Sequence, residues 1–186
     1  MKKKLFGSLL LATAIIISGI SFNAYRSNVF NAINSDSIRP YNKMLDETEV
    51  QRIFQDNFYH LTADTSFNFN SSFNEKNPSL YRPHLNGMMR SFVLYDNSNL
   101  AGFMSCYMEN KYSGKLLYLG VDKAFRKKGY GKQLAQHSCN YLKSQGAKVI
   151  HVCTRTTNKK AQNLYISLGF KFINEERGFI FYRKET

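Results

Sequence analysis

Apolar residues recur along this chain at two different periods, and the changes between them lay out an order of elements. Val50, Ile53, Phe54 and Phe58 fall at helical spacing, which predicts a helix over residues 46–58 capped by Asp46 or Thr48. Residues 38–41 ahead of it read as a short first strand. Residues 90–95 and 100–109 read as two strands joined by the turn Asp96-Asn97-Ser98-Asn99, a hairpin. Residues 116–121 form a third, nearly all-apolar strand. Leu134, Ala135, Ser138, Cys139 and Leu142 then share one face of a helix over 131–144, with Gly146 placed to close it. A buried strand at 148–154 follows. Ala161, Leu164, Tyr165 and Leu168 make the stripe of a second amphipathic helix, 158–168, which Gly169 ends. Residues 170–173 and 179–183 close the chain as two strands around a turn at Glu176-Arg177-Gly178. Strands mixed with helices in this order predict an α/β fold, a mixed, largely antiparallel twisted sheet flanked by helices.

Between residues 59 and 86 no steady period appears. Asn, Ser, Phe and Pro dominate, so loops and one short irregular helix are expected there, and such a segment often frames a substrate entrance. The chain of 186 residues suffices for one core and is short for two. Three units follow: an apolar N-terminal segment over 1–24, a polar linker over 25–36, and one domain over 37–186.

Lys2, Lys3 and Lys4 precede an uncharged run from Leu5 to Phe22, the pattern of a secretory signal or a short membrane anchor. Both readings stand, because a cut beside Ala24 places bulky Phe22 where a small residue is preferred. Lysines kept inside would send the remaining chain across the membrane, in conflict with a cytosolic cofactor. Arg26 and the basic body pull the other way, so the chain is expected to be anchored or exported with its side open. Cys106, Cys139 and Cys153 are an odd set without metal-ligand spacing, so reduced, buried thiols and no metal are expected.

The formal charge of +13 favours a polyanionic partner: nucleic acid, an anionic membrane surface or a phosphate-rich small molecule. Where the charge concentrates decides among them. Leu119-Gly120-Val121 ends the third strand, and Arg126, Lys127, Lys128, Gly129, Tyr130, Gly131 and Lys132 then lead into a helix. Strand, basic glycine-bearing turn and helix N-terminus together make an anion site, because first-turn amides lack intrahelical partners and the dipole adds positive charge. The turn lacks the G-x-x-x-x-G-K-[ST] of a nucleotide-binding P-loop. It also lacks the third glycine of a dinucleotide fingerprint, since Leu134 occupies that place. What remains is R-x-x-G-x-G.

That signature after L-G-V and before a helix resembles the acetyl-CoA motif of the GNAT family of N-acetyltransferases. Asn158, Ala161, Leu164, Tyr165, Gly169 and Phe170 likewise match the family's N-x-x-A-x-x-L-Y-x-x-x-G-F segment, so the resemblance runs from about 116 to 170. It implies acetyl-CoA as co-substrate, with Leu119, Gly120 and Val121 along the pantetheine arm and thioester. It further implies that residues 126–131 wrap the diphosphate, Asn158 touches the pantetheine or holds splayed strands, and Tyr165 sits near the sulfur as the catalytic acid.

The chemistry asks for such parts. A neutral amine attacks the thioester, an amide near Val121 stabilises the oxyanion, and Tyr165 protonates or hydrogen-bonds the leaving thiolate. The strand before the turn offers no carboxylate as general base, which leaves Glu109, His60, His151 or a water chain. Taken singly, His151 reads as a satisfied core histidine, Glu109 as a surface carboxylate and His137 as exposed. Tyr81, Tyr107 and Phe92 read as core before acceptor pocket. The acceptor is a primary amine of a small molecule, peptide or protein. Two other functions fit less of the pattern, a non-catalytic acyl-CoA sensor and a basic protein of nucleic-acid or membrane surfaces, since the charge clusters at one turn instead of forming a stripe.

Overall fold

A computed structural model describes residues 37–61, 69, 73 and 89–186. The apolar segment, the linker and most of the 59–86 region, Tyr81 included, lie outside the described residues. Among the described residues no helix is long and apolar enough to cross a membrane.

Strand β1 (Ser37–Pro40) leads into α1 (Lys43–Asp56) and a single turn, α2 (Phe58–Leu61). Then come β2 (Arg90–Asp96), β3 (Asn99–Asn110), β4 (Ser113–Val121), a 3-10 turn at Lys123–Phe125 and α3 (Tyr130–Ser144). β5 (Val149–Arg155), α4 (Lys159–Ser167), β6 (Lys171–Glu176) and β7 (Phe179–Glu185) complete the chain. The seven strands form one sheet in the order β1-β2-β3-β4-β5-β7-β6, antiparallel at every junction except the parallel β4–β5 pair. This is the expected mixed, largely antiparallel sheet.

Each face of the sheet carries its own core, as alternating side chains require. Leu94, Met104, Cys106, Leu116, Ile150 and Val152 point to the face that α3 and α4 cover with Leu134, Leu142, Tyr165 and Leu168. Val93, Phe103 and Tyr118 point to the other, where Val50, Ile53 and Phe54 of α1 meet Phe69 and Phe73. Phe54 is the hub of that second core, edge-on to Phe58, Phe69, Phe73 and Tyr118.

Helix α1 starts earlier than its apolar stripe suggests. Asn42 is the cap and accepts from the Met44 amide. Asp46 is fully buried instead, taking two bonds from the Arg39 guanidinium and one from the Tyr95 hydroxyl. The first turn projects apolar side chains outward, with Met44 92% exposed, which hides the true start from a periodicity argument.

Two irregularities position the site. In β4, Tyr118 pairs with Ser105 but Leu116 with Cys106, so Leu117 is an extra residue, a bulge. Leu116 therefore faces the α3 side, Leu117 and Tyr118 both face the α1 side, and Leu119 returns to the α3 side. The second irregularity is the β4–β5 junction. It has three paired positions, Ser113↔Val149, Gly114↔Ile150 and Lys115↔His151, and beyond them the two strands part.

Candidate active site

Past Lys115, β4 keeps its partner β3 as far as Val121, and β5 keeps its partner β7 as far as Arg155. The edges that face each other across the resulting gap are unpaired. The Asp122 amide donates to the Ala101 carbonyl of β3 at 2.9 Å. Hydrogen-bonding direction alternates along a strand, so Leu119 and Val121 turn their amides and carbonyls toward the gap. Gly120 turns the other way. A Cβ on Gly120 would stand 2.5 Å from the Phe103 ring and 2.9 Å from Ile53, so core packing accounts for this glycine.

The turn closing the wide end of the gap is fixed mostly from below. Asp122 caps the 3-10 turn through the Ala124 amide and pairs with Arg52 of α1 at 2.5 Å. Burial works against its charge, but the Ala124 amide and the Arg52 guanidinium hold its carboxyl below the usual range. Arg126 spends its guanidinium on the Val121 carbonyl and on Asn57 just past α1. Lys128 pairs with Asp96 at 2.8 Å, and that carboxylate also accepts from the Tyr130 hydroxyl. Asp96 is in turn held low by Lys128 and Tyr130. Thus Arg126, Lys128 and the Tyr130 side chain bind the turn to the protein, while Lys127 and Lys132 stand exposed around it.

The backbone is what opens outward. Lys127 (φ 67°) and Gly129 (φ 84°) take left-handed conformations that bring the chain into the first turn of α3. At Gly129 only glycine does this without strain. Gly131 faces the gap: a Cβ there would meet Val121, Leu164 and Leu119 at 3.7 to 3.9 Å, ordinary contact, so packing does not demand glycine and a methyl would project between the two edges.

Across the gap, Asn158 caps α4 by accepting from the Ala161 amide. Tyr165 projects from α4 into the α3-side core, edge-on to Phe170 at 5.8 Å. It is 95% buried, and its hydroxyl has no protein partner among the described residues. Burial, reinforced by the neighbouring Cys153 and Cys139 thiols, pushes its pKa well above the ordinary phenol value. The phenol therefore keeps its proton at neutral pH.

At the narrow end, the geometry departs from the residue-by-residue reading. Glu109 is no isolated surface carboxylate: it accepts from His151 Nδ1 at 2.9 Å and Ser113 Oγ at 3.1 Å, and Lys115 Nζ lies at 3.6 Å. Burial alone would raise its pKa, but the His151 and Ser113 hydrogen bonds and the Lys115 charge leave it lowered. His151 is half-buried, not sealed in the core. The pair lines a cavity of about 200 Å³ with Lys115, Ile173, Asn174 and Phe181. Of the other candidates, His60 is exposed on α2, and His137 is half-buried against Phe92 at a ring distance of 4.6 Å. Burial lowers the His137 pKa. Phe92 belongs to the core under α3, and Tyr107 is buried. Cys106 and Cys139 are buried free thiols, and Cys153 is half-buried and free. Among the described residues no cluster could hold a metal ion.

Known proteins resemble this chain in sequence and in fold. The family model described as "Acetyltransferase (GNAT) family" matches residues 48–170. N-alpha-acetyltransferase 30 of Schizosaccharomyces pombe is 31% identical over 84 residues, 43% of this chain and 56% of that protein. The [ribosomal protein bS18]-alanine N-acetyltransferase of Haemophilus ducreyi is 36% identical over 64 residues, 34% of this chain and 44% of that protein. The chain thus spans about half the length of the curated relatives it matches. In fold it resembles a Bacillus subtilis acetyltransferase crystallised with CoA, at a TM-score of 0.59 and 17% identity, covering 82% of this chain and 99% of the other. A family model that spans most of the described domain, on a sheet parted beside a glycine turn, carries one conclusion: this chain is a member of the acetyltransferase (GNAT) family.

Proposed function

We propose that this chain moves an acetyl group from acetyl-CoA to a primary amine by direct attack within a ternary complex. The observation that carries the reading is the gap in the sheet, with the Leu119 and Val121 backbone along one edge and the α3 N-terminus at its mouth. A pantetheine arm has two amides and can pair with that edge as a strand would. The amides of the turn over 126–131 then meet the diphosphate, with Lys127 and Lys132 adding charge. Asn158 stands where a cap can also meet the pantetheine. Tyr165, protonated and unpartnered, gives its proton to the departing thiolate.

CoA held by a protein of the same fold supports acetyl-CoA as the donor. One curated relative is named an N-alpha-acetyltransferase and the other for acetylating an alanine of ribosomal protein bS18, which makes a peptide with a free α-amine the first acceptor to test.

The experiment uses the full chain. Calorimetry with acetyl-CoA reads binding, and thiol release reads turnover with hexapeptides starting in Ala, Ser or Met, with free lysine and with spermidine. Binding together with thiol release from at least one amine is expected. Binding without release from any of them would favour the sensor reading. Steeply salt-dependent DNA binding without heat from acetyl-CoA would favour the nucleic-acid reading. We further propose that residues 1–24 export the domain or tether it to a membrane. Deleting them should move the protein from the membrane or exported fraction to the soluble one, and an unchanged distribution would sink that assignment.

A further inference from the structure

The pairing of β4 with β5 ends at Lys115↔His151, so His151 stands at the apex of the gap. Leu116 to Val121 is the stretch from that apex to the turn, roughly 16 Å at strand rise, the order of an extended pantetheine arm. A thioester whose diphosphate rests on the turn thus arrives at the apex, so an amide at this end of β4, and not that of Val121 expected from the sequence, is the one placed to meet the oxyanion.

The His151 ring presents a defined nitrogen there. Glu109 is ionised and can only accept, so His151 Nδ1 carries the hydrogen of the 2.9 Å bond and, in the neutral ring, Nε2 is the nitrogen with the lone pair. Ser113, donating to the same carboxylate, holds Glu109 in place. Ile150 and Val152 face the α3 side, so His151 faces the opposite side, away from Tyr165. On that side the 200 Å³ cavity shares its Phe181 wall with a larger one of about 510 Å³, lined also by Arg155, Glu176 and Arg177. This gives the acceptor an approach that does not cross the cofactor.

We infer that His151 is the general base of the transfer, with Glu109 as its positioning residue. The inference rests on the acetyltransferase reading above and adds the group that reading lacked. Nε2 takes one proton from the acceptor ammonium, and the neutral nitrogen attacks the thioester carbon. The N–C bond forms, the C–S bond breaks, and the thiolate takes the Tyr165 proton on the far face. The new amide nitrogen sheds its extra proton, and the tyrosinate is reprotonated. The balance is one ammonium and one acetyl-CoA giving one amide, one thiol and one proton.

Besides Glu109, Ser113 and Lys115 from β3 and β4, the groups around His151 are Asn174 of β6 and Phe181, Tyr182 and Arg183 of β7, with Arg183 directly opposite it in the strand register. The charged groups among these are Glu109, Lys115 and Arg183, the last paired with Glu185. A base that acts only with its lone pair free should give kcat/KM an acid limb, rising with pH.

Three measurements on the full chain test the assignment. His151→Gln should leave acetyl-CoA affinity unchanged, lower kcat about 10²-fold or more and abolish the acid limb. Glu109→Gln should keep that limb, displaced, with a smaller loss of kcat and little change in KM. Long-range proton–nitrogen spectra, with His151→Gln for resonance identification, should find the neutral ring protonated on Nδ1. Wild-type kcat and an unaltered pH profile in His151→Gln, or a ring protonated on Nε2, would overturn the inference and leave the donor site standing. Absence of acetyl-CoA binding by the wild type would overturn the acetyltransferase reading and this one with it. Should His151→Gln fail to fold, His151→Asn takes its place in both the kinetics and the resonance identification.

Discussion

Tyr165 and Asp122 show how differently two buried polar side chains are held. The Tyr165 hydroxyl gives up no hydrogen bond when removed, so Tyr165→Phe should leave the melting curve and acetyl-CoA affinity unchanged while lowering kcat roughly 10²-fold. Because burial raises its pKa, any alkaline loss of activity near pH 8 or 9 has another source and should persist in Tyr165→Phe. Asp122 is the opposite case. Its folded pKa lies below the unfolded value near ~3.9, so its contribution is present above that pH and lost as pH falls through the folded pKa. Asp122→Asn should therefore cost about 1.5–3 kcal/mol in urea unfolding at pH 7 and flatten the decline of stability below pH ~4. At this scale the chain was legible where a residue acts through its neighbours in sequence, as in R-x-x-G-x-G. Glu109 and His151 are separated by 42 positions and meet only through strand register, so each read singly looked ordinary.

Among elements, α3 was legible because one face of it is buried and the period shows it, and the β2–β3 hairpin because two apolar runs, buried on both faces, flank the polar turn at Asp96-Asn97-Ser98-Asn99. The N-terminus of α1 was not, since exposed Met44 and Leu45 precede the stripe. The Leu117 bulge was also hidden, because an all-apolar strand has no alternation for an extra residue to break. The start of α3 makes a sharp prediction. Alanine suits a helix better than glycine by up to about 1 kcal/mol, and at Gly131 its Cβ meets the protein only at ordinary contact. Gly131→Ala should therefore melt no lower than the parent, yet bind acetyl-CoA about 10-fold more weakly by calorimetry, because the methyl stands in the gap. Equal affinity would remove the gap as the donor site. Gly120→Ala, aimed into the Phe103 ring, should instead destabilise by about 1–3 kcal/mol.

For the molecule as a whole, the sheet is two halves, β1-β2-β3-β4 and β5-β7-β6, joined by three paired positions and by the helices. A ligand that bridges the halves stabilises the fold by mass action, about 2.7 kcal/mol at 100 times its dissociation constant, readable as a rise in Tm with acetyl-CoA concentration. With 13 excess positive charges, that rise should shrink as salt screens the turn. The parting of β4 from β5 has one more result. It leaves raw strand edge in the interior of a sheet, where proteins ordinarily guard only the outer rims. With the slot empty, the purified protein should capture stray extended chain there and cloud on warming, and desulfo-CoA, which on the proposed reading fills the slot without reacting, should keep it clear.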